Sequence, residues 1–302
     1  MKTPARLALF GGALALLAAG GFAVGKTAGP EAAASETAGG MPGHAEPVAV
    51  AELPGGLAAS TDGYTFTGPT AEPGRFSFTI TGPDGRPVTA FDVEHEKKLH
   101  LIVVRRDTAG FQHVHPEMAP DGTWSVPLTL PAAGSYRAFA DFAPTGGKPV
   151  TLGADFSVAG NYQPATFAPS RTANVDGYTV ELAGDLVAGK TSPLALKVSR
   201  GGVPVTDLQP YLGAYGHLVA LRGGDLAYLH VHPDGEPGDG KTAAGPEVKF
   251  AAEVPSAGTY RLFLDFRHGG VVRTAEFTLA TAGTPAAPAP KPEPEPADGH
   301  GH

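Results

Sequence analysis

Two stretches decide the fold. His100-Leu101-Ile102-Val103-Val104-Arg105 is followed by Phe111-Gln112-His113-Val114-His115-Pro116, and His217-Leu218-Val219-Ala220-Leu221-Arg222 is followed by Tyr228-Leu229-His230-Val231-His232-Pro233. The second stretch repeats the first at a single offset of 117 residues. In each, a β-branched run, a polar turn and a second run ending in His-Val-His-Pro read as a β-hairpin. Outward from the hairpins the repeat continues. Gly63-Tyr64-Thr65 returns as Gly177-Tyr178-Thr179, and Pro87-Val88-Thr89 as Pro204-Val205-Thr206. Gly134, Tyr136, Arg137, Phe139, Asp141 and Phe142 return as Gly258, Tyr260, Arg261, Phe263, Asp265 and Phe266 at an offset of 124, the extra residues falling in the Gly/Pro/Asp loop 235–245. Insertion in such a loop is cheap.

A period this long is a complete domain rather than a solenoid turn. Within the first copy, segments 75–81, 99–105, 111–115, 123–130, 135–142 and 150–158 are short, β-branched or aromatic, and separated by turn residues. No amphipathic helix interrupts them. The expected fold is all-β: two tandem immunoglobulin-like β-sandwich domains after an N-terminal apolar signal or anchor helix, with a small closed barrel as the alternative. The expected division is 1–25 signal peptide or membrane anchor, 26–47 disordered tether, 48–160 first domain, 161–170 linker, 171–280 second domain and 281–302 Pro-rich disordered tail.

The ends set the compartment. Lys2 and Arg6 precede an uncharged apolar run from Leu7 to Val24, and Ala23 and Gly25 offer small residues for cleavage. This is an export signal, either cleaved or retained as an anchor, since the run reaches the lower edge of membrane-spanning length. The chain is therefore expected outside the membrane, at the cell surface or secreted. A net charge of -8 argues against nucleic acid as a partner. With no cysteine and only three methionines, disulfides, thiolate zinc sites, iron-sulfur clusters and thioether copper sites are excluded, which leaves histidine as the only strong nitrogen donor.

Residues i and i+2 of a strand face one side, so His113 projects with His115, and His230 with His232. A turn through Arg106–Ala109 pairs Arg105 with Gly110 and sets His100 opposite His115; the same arithmetic sets His217 opposite His232. Three imidazoles then converge in each domain, a set suited to Cu(II) or Zn(II). A one-residue slip would send His100 to the other face, and the run 99–104 is apolar on both faces, so its pattern does not exclude that slip. In the contrasting reading the histidines stabilise the hairpin and bind nothing. The first copy adds His95 as a fourth candidate ligand, between Glu94 and Glu96; the second adds His268. Asp141 and Asp265 stand among aromatic residues, to hold an imidazole tautomer or to pair with Arg105 and Arg222. His300 and His302 end the tail as a weak capture arm, and His44 lies in the tether.

The string of His95, Lys98, His100-Leu101-Ile102-Val103, Asp107, Phe111, His113, His115 and Pro116, followed by Asp121-Gly122 and Tyr136 to Asp141, resembles exported bacterial proteins with YtkA-like or FixH-like β-sandwich domains, in a two-domain actinobacterial form. The resemblance implies an extracytoplasmic, often membrane-anchored protein with a suspected role in copper or other heavy-metal handling. The second copy departs from it, with Leu212 where His95 stands and Gly224 where Asp107 stands.

The functional expectation is a tethered or secreted, non-enzymatic protein that binds Cu(II) or Zn(II) for buffering or handover, with the membrane and an exported protein as further partners. Its alternative is a structural or protein-interaction module. No nucleophile elbow, His-Glu-x-x-His, P-loop or dinucleotide fingerprint points to an enzyme. Clustered histidines would also make the fold sensitive to acid.

Overall fold

The computed structural model describes residues 53–229 and 231–283. The signal or anchor segment, the tether, the tail beyond Gly283, and with them His44, His230, His300 and His302, lie outside the described residues. Every described element is a strand. The first domain runs β1 (Ser60–Thr61), β2 (Tyr64–Glu72), β3 (Arg75–Thr81), β4 (His100–Arg105), β5 (Gln112–Val114), β6 (Glu117–Met118), β7 (Thr123–Pro127), β8 (Gly134–Phe142) and β9 (Val150–Val158). The second runs β10 (Thr172–Val175), β11 (Tyr178–Ala183), β12 (Lys190–Arg200), β13 (Val203–Pro204), β14 (His217–Arg222), β15 (Tyr228–Leu229), β16 (Val231–Pro233), β17 (Glu247–Val254), β18 (Thr259–His268) and β19 (Val271–Ala280).

Each domain is two antiparallel sheets. The first has β1-β2-β3-β7-β6 against β5-β4-β8-β9, and the second has β10-β11-β12-β17-β16, with β13 on β12, against β15-β14-β18-β19. Without the short edge strands, the order β2-β3-β7-β6 over β4-β8-β9 is the four-on-three arrangement of an immunoglobulin constant domain, and β11-β12-β17-β16 over β14-β18-β19 repeats it. The tyrosine corner of that architecture is present twice. Tyr136 donates its hydroxyl proton to the Ala132 carbonyl at 2.7 Å, and Tyr260 to Ser256 at 2.8 Å. Both rings are buried, so Tyr136→Phe and Tyr260→Phe are each expected to cost about 1–2 kcal/mol in urea unfolding, through a carbonyl left without its donor.

Burial patterns sort the sheets into outer and inner. β3 alternates, with Phe76, Phe78 and Ile80 inside, and β17 alternates through Val248, Phe250, Ala252 and Val254. Such strands cover a core on one face and meet water on the other. β4, in contrast, is buried at all six positions, and β14 and β18 are buried throughout their middles. Leu101 and Val103 face the first domain's own core, while Ile102 and Val104 join Phe139, Val219, Leu221, Leu226 and Phe263 in a third cluster. The two inner sheets therefore pack face to face. The run that is apolar on both sides serves two cores, one within the sandwich and one between the sandwiches.

That shared face has an approximate two-fold repeat. Phe111 stacks on Phe263 at 3.9 Å, and its counterpart Tyr228 lies 5.8 Å from Phe139, the counterpart of Phe263. The segment before β1 closes one side. Gly55 accepts the Tyr228 amide at 3.0 Å, and the Arg137 guanidinium donates to the carbonyls of Gly56, Leu57 and Gly153 and to Asp155. Gly56 has φ +72, and a Cβ there would stand 2.4 Å from the Phe139 ring, so only glycine lets the chain pass. The linker is tied down as well. Arg105 donates to the Gln163 carbonyl, and Asp107, paired with Arg105 at 2.8 Å, accepts the Ala165 amide.

Candidate metal centre

Along the shared face the ladder sets His100 opposite Asp141, and His217 opposite Asp265. The first hairpin pairs Leu101 with Val114 and Ile102 with His113, the register that places His100 across from His115. Histidines of both domains consequently meet. Ring centres lie 5.4 Å apart for His100 and His113, 5.1 Å for His100 and His115, and 4.9 Å for His113 and His115. His217 enters from the second domain, 4.9 Å from His113 and stacked on His100 at 5.7 Å. His95 reaches the same group from a two-residue turn between Glu94 and Lys97, with rings 5.8 Å from His217 and 6.1 Å from His100. Its φ of +47 and the +67 of Glu96 are those of a primed hairpin turn.

The hydrogen bonds assign the tautomers. His100 Nε2 lies 3.1 Å from the Glu94 carbonyl, which can only accept, so Nε2 carries the proton and Nδ1 a lone pair. His113 Nδ1 lies 2.8 Å from an Asp265 carboxylate oxygen, so Nδ1 donates, and in the neutral ring Nε2 carries the lone pair. Those two lone-pair nitrogens face each other at 3.2 Å. The ligand atoms of His100, His113 and His115 all lie within 4.8 Å of one another, and the buried Nε2 of His115 has no hydrogen-bond partner. Neutral imidazoles in this arrangement do not satisfy one another; a cation between them would.

A proton on His100, His115 or His217 is disfavoured. Burial, then the neighbouring His113, holds His100 down to about 4, and burial with His113 and His100 holds His115 down to about 3. His217 is lowered well below its ordinary value by burial and by the same ring of histidines. Tyr211, 6.3 Å from His115, is pushed up to about 12 by burial and by Asp265 and borders the group as a neutral phenol. His115 also opens onto a surface depression lined by Gly74, Arg75, Glu117 and Ser125.

Several expectations change. His232 does not stand opposite His217, as the expected second set required. After Leu229 the chain leaves the inner sheet, and β16 pairs with β17 of the outer sheet, setting exposed His232 against Ala251. Side-chain alternation holds along one ladder, and a strand that changes sheets restarts it. His217, deprived of that partner, joins the first domain's histidines instead. Asp141 and Asp265 do not pair with Arg105 and Arg222, which bind Asp107 and Asp225; Asp225 takes the part that Gly224 leaves open. Asp141 and Asp265 accept from Thr151 and Thr274, and Asp265 holds the imidazole of the other domain. The Glu94 carbonyl orients His100. His268 lies elsewhere, between Tyr178 and Asp207.

A family model described as "Domain of unknown function (DUF8832)" matches residues 59–160 and 173–283, one match on each domain. No curated protein matches the chain. Among solved structures, the BSP domain of a biofilm associated protein is similar at 12% identity over 74% of this chain and 30% of its own, with a TM-score of 0.21. Invasin, a bacterial integrin-binding protein, is similar at 12% identity over 72% of this chain and 38% of its own, with a TM-score of 0.22. A two-domain fibronectin type III segment of chicken tenascin is similar at 11% identity over 72% of this chain and 97% of its own, with a TM-score of 0.19. The chain thus spans well under half the length of the first two.

Proposed function

The chain belongs to the DUF8832 family in both of its domains, and we propose that its shared face is a divalent-metal site, for Cu(II) or Zn(II), in an exported protein that buffers or hands over the ion without catalysing a reaction. The observation that carries this reading is the convergence of His100 Nδ1 and His113 Nε2 at 3.2 Å with the partnerless, buried His115 Nε2 in one group. Two nitrogens bound to one tetrahedral ion at about 2.0 Å would stand about 3.3 Å apart. Their outer nitrogens are held by a carbonyl and a carboxylate, the support that metal-ligating histidines require. Export rests on the basic, then apolar, first 25 residues, as cleaved signal or retained anchor. The resemblance to YtkA-like and FixH-like proteins points to the same compartment.

The test is a chelator-competition titration of Zn(II) and Cu(II) into the full-length chain, His115→Ala and His300→Ala/His302→Ala. Tight binding of one ion, weakened at least about 100-fold by His115→Ala and kept in the tail variant, is the expected result. Binding that ignores His115→Ala and vanishes with the tail histidines overturns the reading.

A second reading draws on the His113–Asp265 bond, whose side chains are 1% and 4% exposed and belong to different domains. Here the histidines join the domains and bind no ion, which is the outcome if no titration shows binding.

A further inference from the structure

We propose that the ion is held between the two domains, with His217 as the fourth ligand, so that one centre per chain is made jointly by both halves of the repeat. This rests on the metal reading above and goes beyond it in assigning the site to the interface. Two imidazoles on one tetrahedral ion place their ring centres about 5 Å apart, given Zn–N bonds of about 2.0 Å. The separations 100–113, 100–115, 113–115, 113–217 and 100–217 run from 4.9 to 5.7 Å. Four rings around one point have six such edges, and five fall in this range; the ligand nitrogens that lie within 4.8 Å of one another are those of His100, His113 and His115, so His217 has to move in to complete the centre.

The chain's own architecture explains why His217 is there. Residues 100 and 217 are equivalent in the repeat, each opens the central strand of its inner sheet, and the two inner sheets face each other. Face-to-face packing of two copies brings equivalent residues together near the local two-fold, and the His100 and His217 ring centres stand 5.7 Å apart. His95 is the competing fourth ligand. It sits on an exposed turn and meets only one ring of the first domain's three, His100 at 6.1 Å, whereas His217 meets two of them, at 4.9 and 5.7 Å. The Asp265–His113 bond adds a second link across the same interface, so the second domain both supplies a ligand and orients one of the first domain's.

The experiment is X-ray absorption on the Zn(II)-loaded and Cu(II)-loaded full-length protein, with His217→Gln, His95→Ala and His115→Ala beside it, each tested for folding by circular dichroism. Four imidazoles in the wild type and in His95→Ala, with three and a weakening of at least about tenfold in His217→Gln, is the expected pattern. An unchanged imidazole count and affinity in His217→Gln, with binding lost in His115→Ala, overturns the shared centre and leaves the metal reading standing. Unchanged binding in both variants overturns both. If His217→Gln does not fold, the wild-type count decides together with His95→Ala: three imidazoles in the wild type, or a drop in His95→Ala, removes His217 from the site.

Discussion

Phe263→Ala is expected to cost about 3–5 kcal/mol and to split a single unfolding transition into two. Phe263 is fully buried in the cluster between the inner sheets, stacked on Phe111 at 3.9 Å, with the Arg261 guanidinium 5.1 Å from its ring. Its removal strips a stacked aromatic pair from the face that joins the domains, while the core of each sandwich, lined by Phe78 and Ile80 in one and Leu262 and Leu264 in the other, keeps its packing. Coupled domains unfold together, and domains with a void at their junction unfold in turn. Differential scanning calorimetry of the metal-free chain reads both effects. One transition displaced by less than about 1 kcal/mol would mean that the interface contributes little cohesion. The same variant should also weaken metal binding, because it loosens the sheets that carry the histidines.

The metal-free protein is expected to lose stability as the pH falls from 7 to 5. His100 is held down to about 4 and His115 to about 3 in the folded chain, chiefly by burial. Their folded values lie below the unfolded value near 6.5, so the unfolded chain binds protons first. The stability is complete above that unfolded value and drains away as the pH drops toward the folded values. Between pH 7 and 5 the more buried His100 removes about 2 kcal/mol and His115, which solvent screens, removes less, a fall in melting temperature of roughly 5–10 °C for a chain of this size. Glu94, Lys97, Tyr211, Asp265 and the other histidines face the group and shape this response. Thermal melts in chelator at pH 7, 6 and 5 measure it, and a flat profile would show that the rings are solvated rather than buried. With metal bound the curve should stay higher at pH 7 and fall more steeply, since protons and the ion compete for the same lone pairs.

Local chemistry in the sequence determined a good deal of this molecule. The Gly, Pro and Asp turns cut it into short strands, the 117-residue offset made it two copies, and the length of the Arg106–Ala109 turn set His100 across from His115. Those features depend on covalent spacing and on residues near in the chain, so they are legible without a structure. What the apolar run Leu99–Val104 packs against is not, because periodicity reports that a face is buried and never by what. Only the tertiary structure turned the two inner sheets toward each other, carried His232 into the outer sheet, and set Asp265 of the second domain on His113 of the first. Those outcomes follow from competition between distant surfaces for the same apolar face and the same strand edge. Two symmetric histidine sets, each reasonable from spacing alone, become one group of rings between the domains.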